Sequence, residues 1–418
     1  MTPDWHQMLR VFGRIGLLSF GGPAAQIAVM HRELVEERDW LTEDQFLRAL
    51  TFCMLLPGPE AMQLATYAGW RQRGIAGGLL AGGLFVIPGA IVITALALIY
   101  GAYGSLPLVQ AIFVGVQATV VVIVLGAMHK LIGKALHGPM AIALAALSFL
   151  ALFALSLPFP LVIAAAALVG ATLLRRTPAP TTEPPRWHGL GRIMMIGGAI
   201  WAAPLALSFA AGQTFLLDIG IYFSKLAVVT FGGAYAVLAY MAQTVVQDYG
   251  WITTTQMMDG LGLAETTPGP LILVTQMVAM LAGLTAQGTG MALLAGGMAL
   301  WVTFVPCFIW IFAGAPLIDW LAGQPRLQAA LAGITAAVVG VIANLSLWFA
   351  VHVFFGVVIP FTSGPITLTL PVLDSLQAVP LALAILAGYL MWQRGWSLLF
   401  VLALNAGLGL LLFLAGIL

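Results

Sequence analysis

The chain has 418 residues, of which 61% are hydrophobic and 7% charged, with a formal net charge of +1. Soluble domains carry about 25% charged residues, so a soluble globule is excluded. Long uncharged stretches, residues 74–128, 266–318 and 395–418, exceed the roughly 20 apolar residues that one membrane-spanning helix needs.

In chain order, the opening MTPDWHQMLRVFGR lacks the apolar core and cleavage site of a signal peptide, so the N-terminus is expected to stay on the chain. Six hydrophobic segments follow, at roughly 8–30, 46–70, 74–101, 107–128, 139–156 and 158–174. Residues 175–192 hold four prolines and four arginines and read as a cytoplasmic linker. One further segment, 193–212, leads to six more at roughly 220–241, 260–288, 290–313, 327–350, 377–393 and 396–417. No series of ten-residue alternating segments suggests a barrel. The expected fold class is an all-α polytopic membrane protein. Its expected parts are a first repeat (1–174), the linker (175–192), a connecting transmembrane helix (193–212) and a second repeat (213–418).

The repeat is read from motifs. Arg14, Phe20, Gly21, Gly22, Trp40 and Pro57-Gly58-Pro59 return as Lys225, Phe231, Gly232, Gly233, Trp251 and Pro268-Gly269-Pro270, each 211 positions later. Past a short insertion, FVIP at 85–88 aligns with TFVP at 303–306, now 218 positions apart. The copies carry different loop charges. Arg32, Arg38 and Arg48 lie in residues 31–50, whereas the equivalent 242–261 has no Lys or Arg, only Asp248 and Asp259. By the positive-inside rule the copies have opposite orientation, an inverted repeat of the kind found in transporters. Arg10, Arg32 to Arg48, and Arg71 with Arg73 all read as cytoplasmic although two hydrophobic segments lie between them. The simplest reconciliation makes 8–30 and 46–70 re-entrant hairpins; full spanning would also preserve the odd number of crossings.

Helix signals place the breaks. Thr42 to Gln45 and Thr253 to Gln256 read as capping boxes that start helices. Each helix then meets Pro-Gly-Pro, which removes an amide donor and disfavours helix at the preceding residue. Gly58 or Gly269 is the expected N-cap of the next half-helix, with the second proline at its first position. Gly22-Pro23 reads the same way, and Gly232-Gly233 repeats the glycines with Ala234 in place of proline. Half-helix N-termini carry partial positive charge and unpaired donors, so the breaks are candidate anion sites. Hydroxyls at Ser19 and Thr230 could add donors, and Arg14 and Lys225 one full charge per copy. The expected substrate-binding set is therefore Arg14, Ser19, Gly21, Gly22, Gly58, Lys225, Thr230, Gly232, Gly233 and Gly269. Glycine pairs also serve close helix packing, and Arg14 could simply snorkel to the surface.

Glu60 follows the first Pro-Gly-Pro inside an apolar run, where an acid is costly. Its protonation could gate an anion, or its carboxylate could cap free amides. The second copy has Leu271 there and an acid, Glu265, three residues before its Pro-Gly-Pro. Gln26, Gln63 and Gln276 could line a pore or tie helices together. Cys53 and Cys307 read as core packing; no metal-ligand spacing exists, so no metal site, catalytic set or cofactor is expected.

FGGPAAQIAVMHRELVEERDW (Phe20–Trp40), CMLLPGPEAMQLATYAGWRQRG (Cys53–Gly74) and FVIPG (Phe85–Gly89), with KLAVVTFGG (Lys225–Gly233) and TPGP (Thr267–Pro270), resemble the chromate ion transporter family in its long, two-domain form. The resemblance implies export of chromate across the bacterial inner membrane, conferring resistance, with sulfate as the chemical look-alike. It also implies two homologous halves of opposite orientation. A secondary transporter, with an antiporter as one form, fits the lack of a Walker-type string. A sulfate or other oxyanion transporter or exchanger is the alternative; an intramembrane enzyme and a passive channel are readings from other classes. Expected partners are chromate, sulfate as competitor, the lipid bilayer and, as an open alternative, a second copy in a homodimer. No nucleic acid is expected.

Overall fold

The computed structural model describes residues 3–20, 22–174, 189–231, 234–322, 324–364 and 366–418. Its helices are α1 (Trp5–Leu18), α2 (Pro23–His31), α3 (Glu43–Leu55), α4 (Glu60–Tyr103), α5 (Pro107–Ala135), α6 (Pro139–Phe153), α7 (Phe159–Leu173), α8 (Leu190–Ala210) and α9 (Thr214–Val229). They continue as α10 (Ala234–Met241), α11 (Thr254–Glu265), α12 (Val274–Gln287), α13 (Thr289–Gly314), α14 (Ile318–Ala322), α15 (Pro325–Phe354), α16 (Ala378–Gly388) and α17 (Leu398–Leu414). The protein is an all-α polytopic membrane protein. Among the described residues, α4, α5, α8, α13 and α15 are long and apolar enough to cross a membrane. Most of the expected linker, residues 175–188, lies outside the described residues.

The chain forms two compact units. The first comprises Met1–Leu98, Arg175–Ala234 and Leu263–Gln328; the second comprises Ile99–Leu174, Tyr235–Gly262 and Ala329–Leu418. In the first unit, segments 8–30 and 46–70 are not single helices. Each is two short helices separated by a break, α1 with α2 and α3 with the start of α4. Residues 60–103 bend again at Arg73 (φ −143°, ψ 35°) and Gly74 (φ 60°, ψ −153°). Beyond that bend the helix folds back on residues 60–72. Gly69 packs on the backbone of Gly77, and a side chain at Gly78 would come within 3.1 Å of the Thr66 carbonyl. Glycine permits both the positive φ and the backbone contact.

Three side-chain contacts then locate the chain ends. Gln72 Nε2 donates to the Trp40 carbonyl (2.7 Å), and Arg73 Nε donates to the Pro3 carbonyl (2.6 Å). The Arg73 guanidinium also lies 4.8 Å from the Trp5 ring centroid. Residues 3–5, 40 and 72–73 therefore meet, so α1–α2 and α3 with residues 60–72 each return to the side from which they start. Elsewhere in this unit α8 is fixed to α13 by two indole donations, Trp201 to the Val302 carbonyl (3.1 Å) and Trp301 to the Ile200 carbonyl (3.0 Å).

In the second unit α5 packs on α16 and α17 around Val122, Leu383, Ala387 and Val401. Within this packing Asn405 Nδ2 donates to Thr119 Oγ1 (2.8 Å) and the Leu383 carbonyl (3.0 Å). α7 meets α15 at Gly170 and Gly333, where no side chain fits. One element departs from the sequence reading, which places no strand anywhere. Val358–Ser363 (β1) and Ile366–Pro371 (β2) pair as an antiparallel hairpin after α15. Its alternating Thr, Ile and Leu residues favour extended backbone, and the Thr367 amide anchors it to the Ala154 carbonyl (2.9 Å).

Candidate functional site

The helix breaks of the first unit occur where the sequence puts Gly and Pro, and each has a local cause. The capping boxes form: Thr42 with Gln45 and Thr253 with Gln256 exchange side-chain and backbone hydrogen bonds. α1 stops at Leu18, and Gly22 (φ 83°) caps α2 with Pro23 in its first turn. Ser19 and Thr230 end α1 and α9 with the same device. The Ser19 hydroxyl donates to the Ile15 carbonyl and the Thr230 hydroxyl to the Leu226 carbonyl, both at 2.5 Å. Those hydroxyls therefore serve the helix ends, and both residues are buried.

Pro-Gly-Pro behaves differently from the capping scheme read from sequence. Gly58 (φ 114°) and Gly269 (φ 89°) both take backbone that L side chains rarely adopt. Pro270, not Gly269, caps the turn Leu271–Leu273 that leads into α12, and α4 likewise begins one residue beyond Pro59. The glycine amides point elsewhere. Gly58 N–H donates to the Thr230 carbonyl and Gly269 N–H to the Ser19 carbonyl, each at 2.9 Å. Since 58 corresponds to 269 and 19 to 230, the two bonds are one bond repeated. Each Pro-Gly-Pro turn is tied to the residue just ahead of Phe20 or Phe231 in the other motif copy. No sequence pattern identifies that exchange, because both partners are main chain.

Buried amide side chains complete the tie. Gln26 Nε2 donates to the Gly269 carbonyl (2.7 Å), and Gln63 Nε2 donates to the Pro57 carbonyl (2.7 Å). Gln276 Nε2 donates to Thr94 Oγ1 (2.8 Å) and the Ala90 carbonyl (3.1 Å). Two helices of the spanning type supply the walls. A side chain at Gly89 on α4 would run into the Pro268 carbonyl, and one at Gly58 would meet Cys307 Sγ of α13 at 2.7 Å. Gly89 and Cys307 are equivalent by the 218-residue offset, so α4 backs the second Pro-Gly-Pro as α13 backs the first. The sequence reading treats Cys307 as packing alone; the offset was the signal that could have placed it.

The two turns differ in polarity. Around Gly58 stand Gln63, Cys307 and, opening α4, the part-buried Glu60. Around Gly269 stand Leu273, Phe85 and Gly89, with Leu271 and Ile272 buried beside them. Glu265 is buried at the end of α11.

The two bases do not occupy equivalent settings. Arg14 is half-exposed on α1 and ion-paired to Glu33 (3.2 Å), while Lys225 is exposed on α9. Glu33 itself is fully buried and also receives Arg38 Nη1 at 2.7 Å. Sequence reading missed Glu33, which sits in a charged run resembling a solvated face. Nearby, His31 lies between Glu43 (2.7 Å) and Glu36 (3.0 Å). The hydrogen bond its ring donates to the Glu43 carboxylate is the main reason its pKa is raised above the ordinary histidine value. Gly21, Gly232 and Gly233 lie outside the described residues.

What this arrangement offers chemically is a set of donors with few full charges. The first amides of α2, at Ala24 and Ala25, follow Pro23 and have no acceptor within their helix. Those of residues 61–62 at the start of α4 have the same geometry.

A family model described as Chromate transporter matches residues 6–171 and 217–410. The chain belongs to this family. Among its relatives, a chromate transport protein of Cupriavidus metallidurans is 31% identical over 82% of this chain and 82% of its own length. One from Pseudomonas aeruginosa is 32% identical over 82% of this chain and 80% of its own. A probable chromate transport protein of Synechococcus elongatus is 29% identical over 93% of this chain and 96% of its own. No solved structure matches the chain significantly. The family match takes in every break described above and leaves out residues 172–216, the stretch that contains α8.

Proposed function

We propose that this protein is a secondary transporter that moves chromate out of the cell across the bacterial inner membrane. The relatives' names supply the substrate class. The observation that carries the mechanism is the reciprocal pair of hydrogen bonds from Gly58 to Thr230 and from Gly269 to Ser19. It joins four helix breaks into one cross-braced centre, with first-turn amides of α2 and α4 beside it. The anion is held by those amides near Gly22 and residues 60–62, on the polar side of the centre, rather than by the Gly58 and Gly269 amides. Arg14 and Lys225 act at the approaches, supplying charge before the ion reaches neutral donors. Glu60 and Glu265 are the acids whose protonation gates entry.

The chain is read as two inverted repeats, 1–174 and 213–418, joined by the linker 175–192 and the connecting helix 193–212. Three observations support this: one family model matches twice, the cross-braces repeat at the same offset, and basic residues cluster at the first copy's hairpin ends. The meeting of residues 3, 40 and 72–73 supports hairpins that re-enter from the cytoplasm. Direction follows from electrical work. One charge crossing the membrane is worth about 2.3 kcal/mol per 100 mV, so a dianion leaving an inside-negative cell gains about 4.6 kcal/mol. A sulfate or other oxyanion transporter is the second reading, because amide donors recognise charge and shape that sulfate shares.

Proteoliposomes loaded with chromate test both. Efflux driven by an inside-negative potential, inhibited weakly by sulfate, is expected; equal competition by sulfate would move the assignment to the second reading. Arg14→Gln and Lys225→Gln should each raise the half-saturating chromate concentration severalfold while the protein still inserts. Unchanged half-saturation in both would take the bases out of the pathway.

A further inference from the structure

The second unit holds a buried acid that the proposed anion site does not use. Asp259 lies on α11 and is 3% exposed. Its carboxylate receives two hydrogen bonds, from Tyr100 Oη of α4 to Oδ2 (2.6 Å) and from Gln117 Nε2 of α5 to Oδ1 (2.7 Å). Among the described residues no Lys, Arg or His is ion-paired with it. α5 faces it with Gln117 and otherwise with apolar side chains, Val116 closing against Gly262 one turn further along α11. α4 faces it with Tyr100, and α11 carries one other acid, Glu265, six residues on.

An isolated carboxylate in such a place is not needed for packing. A Leu or Asn fills similar volume without the cost of desolvating a charge. Burial opposes the charged form, and the two donated hydrogen bonds favour it. The acid's hydroxyl partner lies nearer the helix end. Tyr100 is half-buried, three residues from the end of α4, with its ring fixed edge-on against Phe113 (5.2 Å). The tyrosine hydroxyl thus connects the acid with the end of α4 remote from Arg73.

We propose that Asp259 is the group through which this transporter exchanges protons with the medium, by way of the Tyr100 hydroxyl. The inference rests on the transport reading above. In loading, a hydronium ion gives a proton to Tyr100 Oη as the phenolic proton passes to Asp259 Oδ2. The phenol is regenerated, the carboxylate becomes a neutral acid, and water is left behind. Release runs the same steps backward.

The test is a reconstitution in which chromate flux and internal pH, reported by a trapped pH dye, are followed together. Wild type is expected to take up protons as chromate moves. Asp259→Asn should cut that proton movement at least about tenfold and change the pH dependence of flux, leaving the part set by Glu60 and Glu265, while chromate–chromate exchange at fixed pH falls by less than about threefold. Asp259→Glu, which keeps an acid, should restore proton movement. Tyr100→Phe should slow proton movement more than exchange. Chromate flux without proton movement in wild type would overturn the inference and leave the transport reading standing, whereas no chromate flux at all would remove both. Equal proton movement in wild type and Asp259→Asn would make the acid a structural tie. Should Asp259→Asn fail to insert, a pH profile identical in wild type, Asp259→Glu and Tyr100→Phe would overturn it equally.

Discussion

Alanine at Gly89 separates a packing role for the Pro-Gly-Pro turn from a merely local one. Gly89 sits inside α4 with ordinary helical backbone, so in an isolated helix alanine would be favoured by about 1 kcal/mol. Here the added methyl would lie 3.2 Å from the Pro268 carbonyl carbon, closer still to its oxygen, and 2.5 Å from Leu273 Cδ1. Ordinary C···O contact begins near 3.3 Å, so α4 and the turn must separate by about 1 Å. The Gly269–Ser19 hydrogen bond, at 2.9 Å, stretches beyond bonding range if the turn makes that move. Overpacking costs about 1–3 kcal/mol and the lost bond about 1 kcal/mol, against the helix gain of about 1. The net expectation is a loss of about 1–3 kcal/mol together with impaired transport. Gly83, in the same helix, is the control: a methyl there meets nothing nearer than Ile87 Cδ1 at 3.8 Å. Gly83→Ala should hold or raise stability by up to about 1 kcal/mol. Thermal unfolding in detergent and chromate flux in proteoliposomes read both variants. If Gly89→Ala matches Gly83→Ala in both, the cross-braced centre is not what that glycine protects.

Glu33→Gln should destabilise the protein more than either arginine change, since it removes the buried negative charge shared by Arg14 and Arg38 and turns an amide donor toward one of them. Between the arginines, Arg38→Gln should cost more than Arg14→Gln, because Arg14 is 51% exposed and already screened by solvent; the reverse order in thermal unfolding would show that Glu33 is held chiefly through Arg14. His31 predicts a pH dependence. Its folded pKa is raised, so its contribution is fully present below the unfolded value of about 6.5 and fades as pH rises through the higher folded value. Wild type should therefore lose stability relative to His31→Gln as pH increases from about 6 upward, and parallel melting curves for the two proteins across that range would refute it.

The sequence by itself determined the class, the family and the positions of the breaks. Apolar runs too long for a soluble core demand a membrane. Residues 19–23 and 57–60 interrupt helices because Pro lacks an amide and Gly alone tolerates the positive φ seen at Gly22 and Gly58. The capping boxes at Thr42 and Thr253 were legible for the same reason: a cap is a contact over three residues, and three residues are visible in a string. Only the tertiary structure decided where the freed donors go. The Gly58 and Gly269 amides are bonded to carbonyls more than 150 residues away in the chain, and the Ser19 and Thr230 hydroxyls turn back to their own helices. The ion pair of Arg14 was equally hidden: its partner Glu33, in a run resembling a solvated face, is fully buried beside it. Main-chain atoms are the same in every residue, and burial belongs to the packed molecule. Neither leaves a mark in the order of side chains.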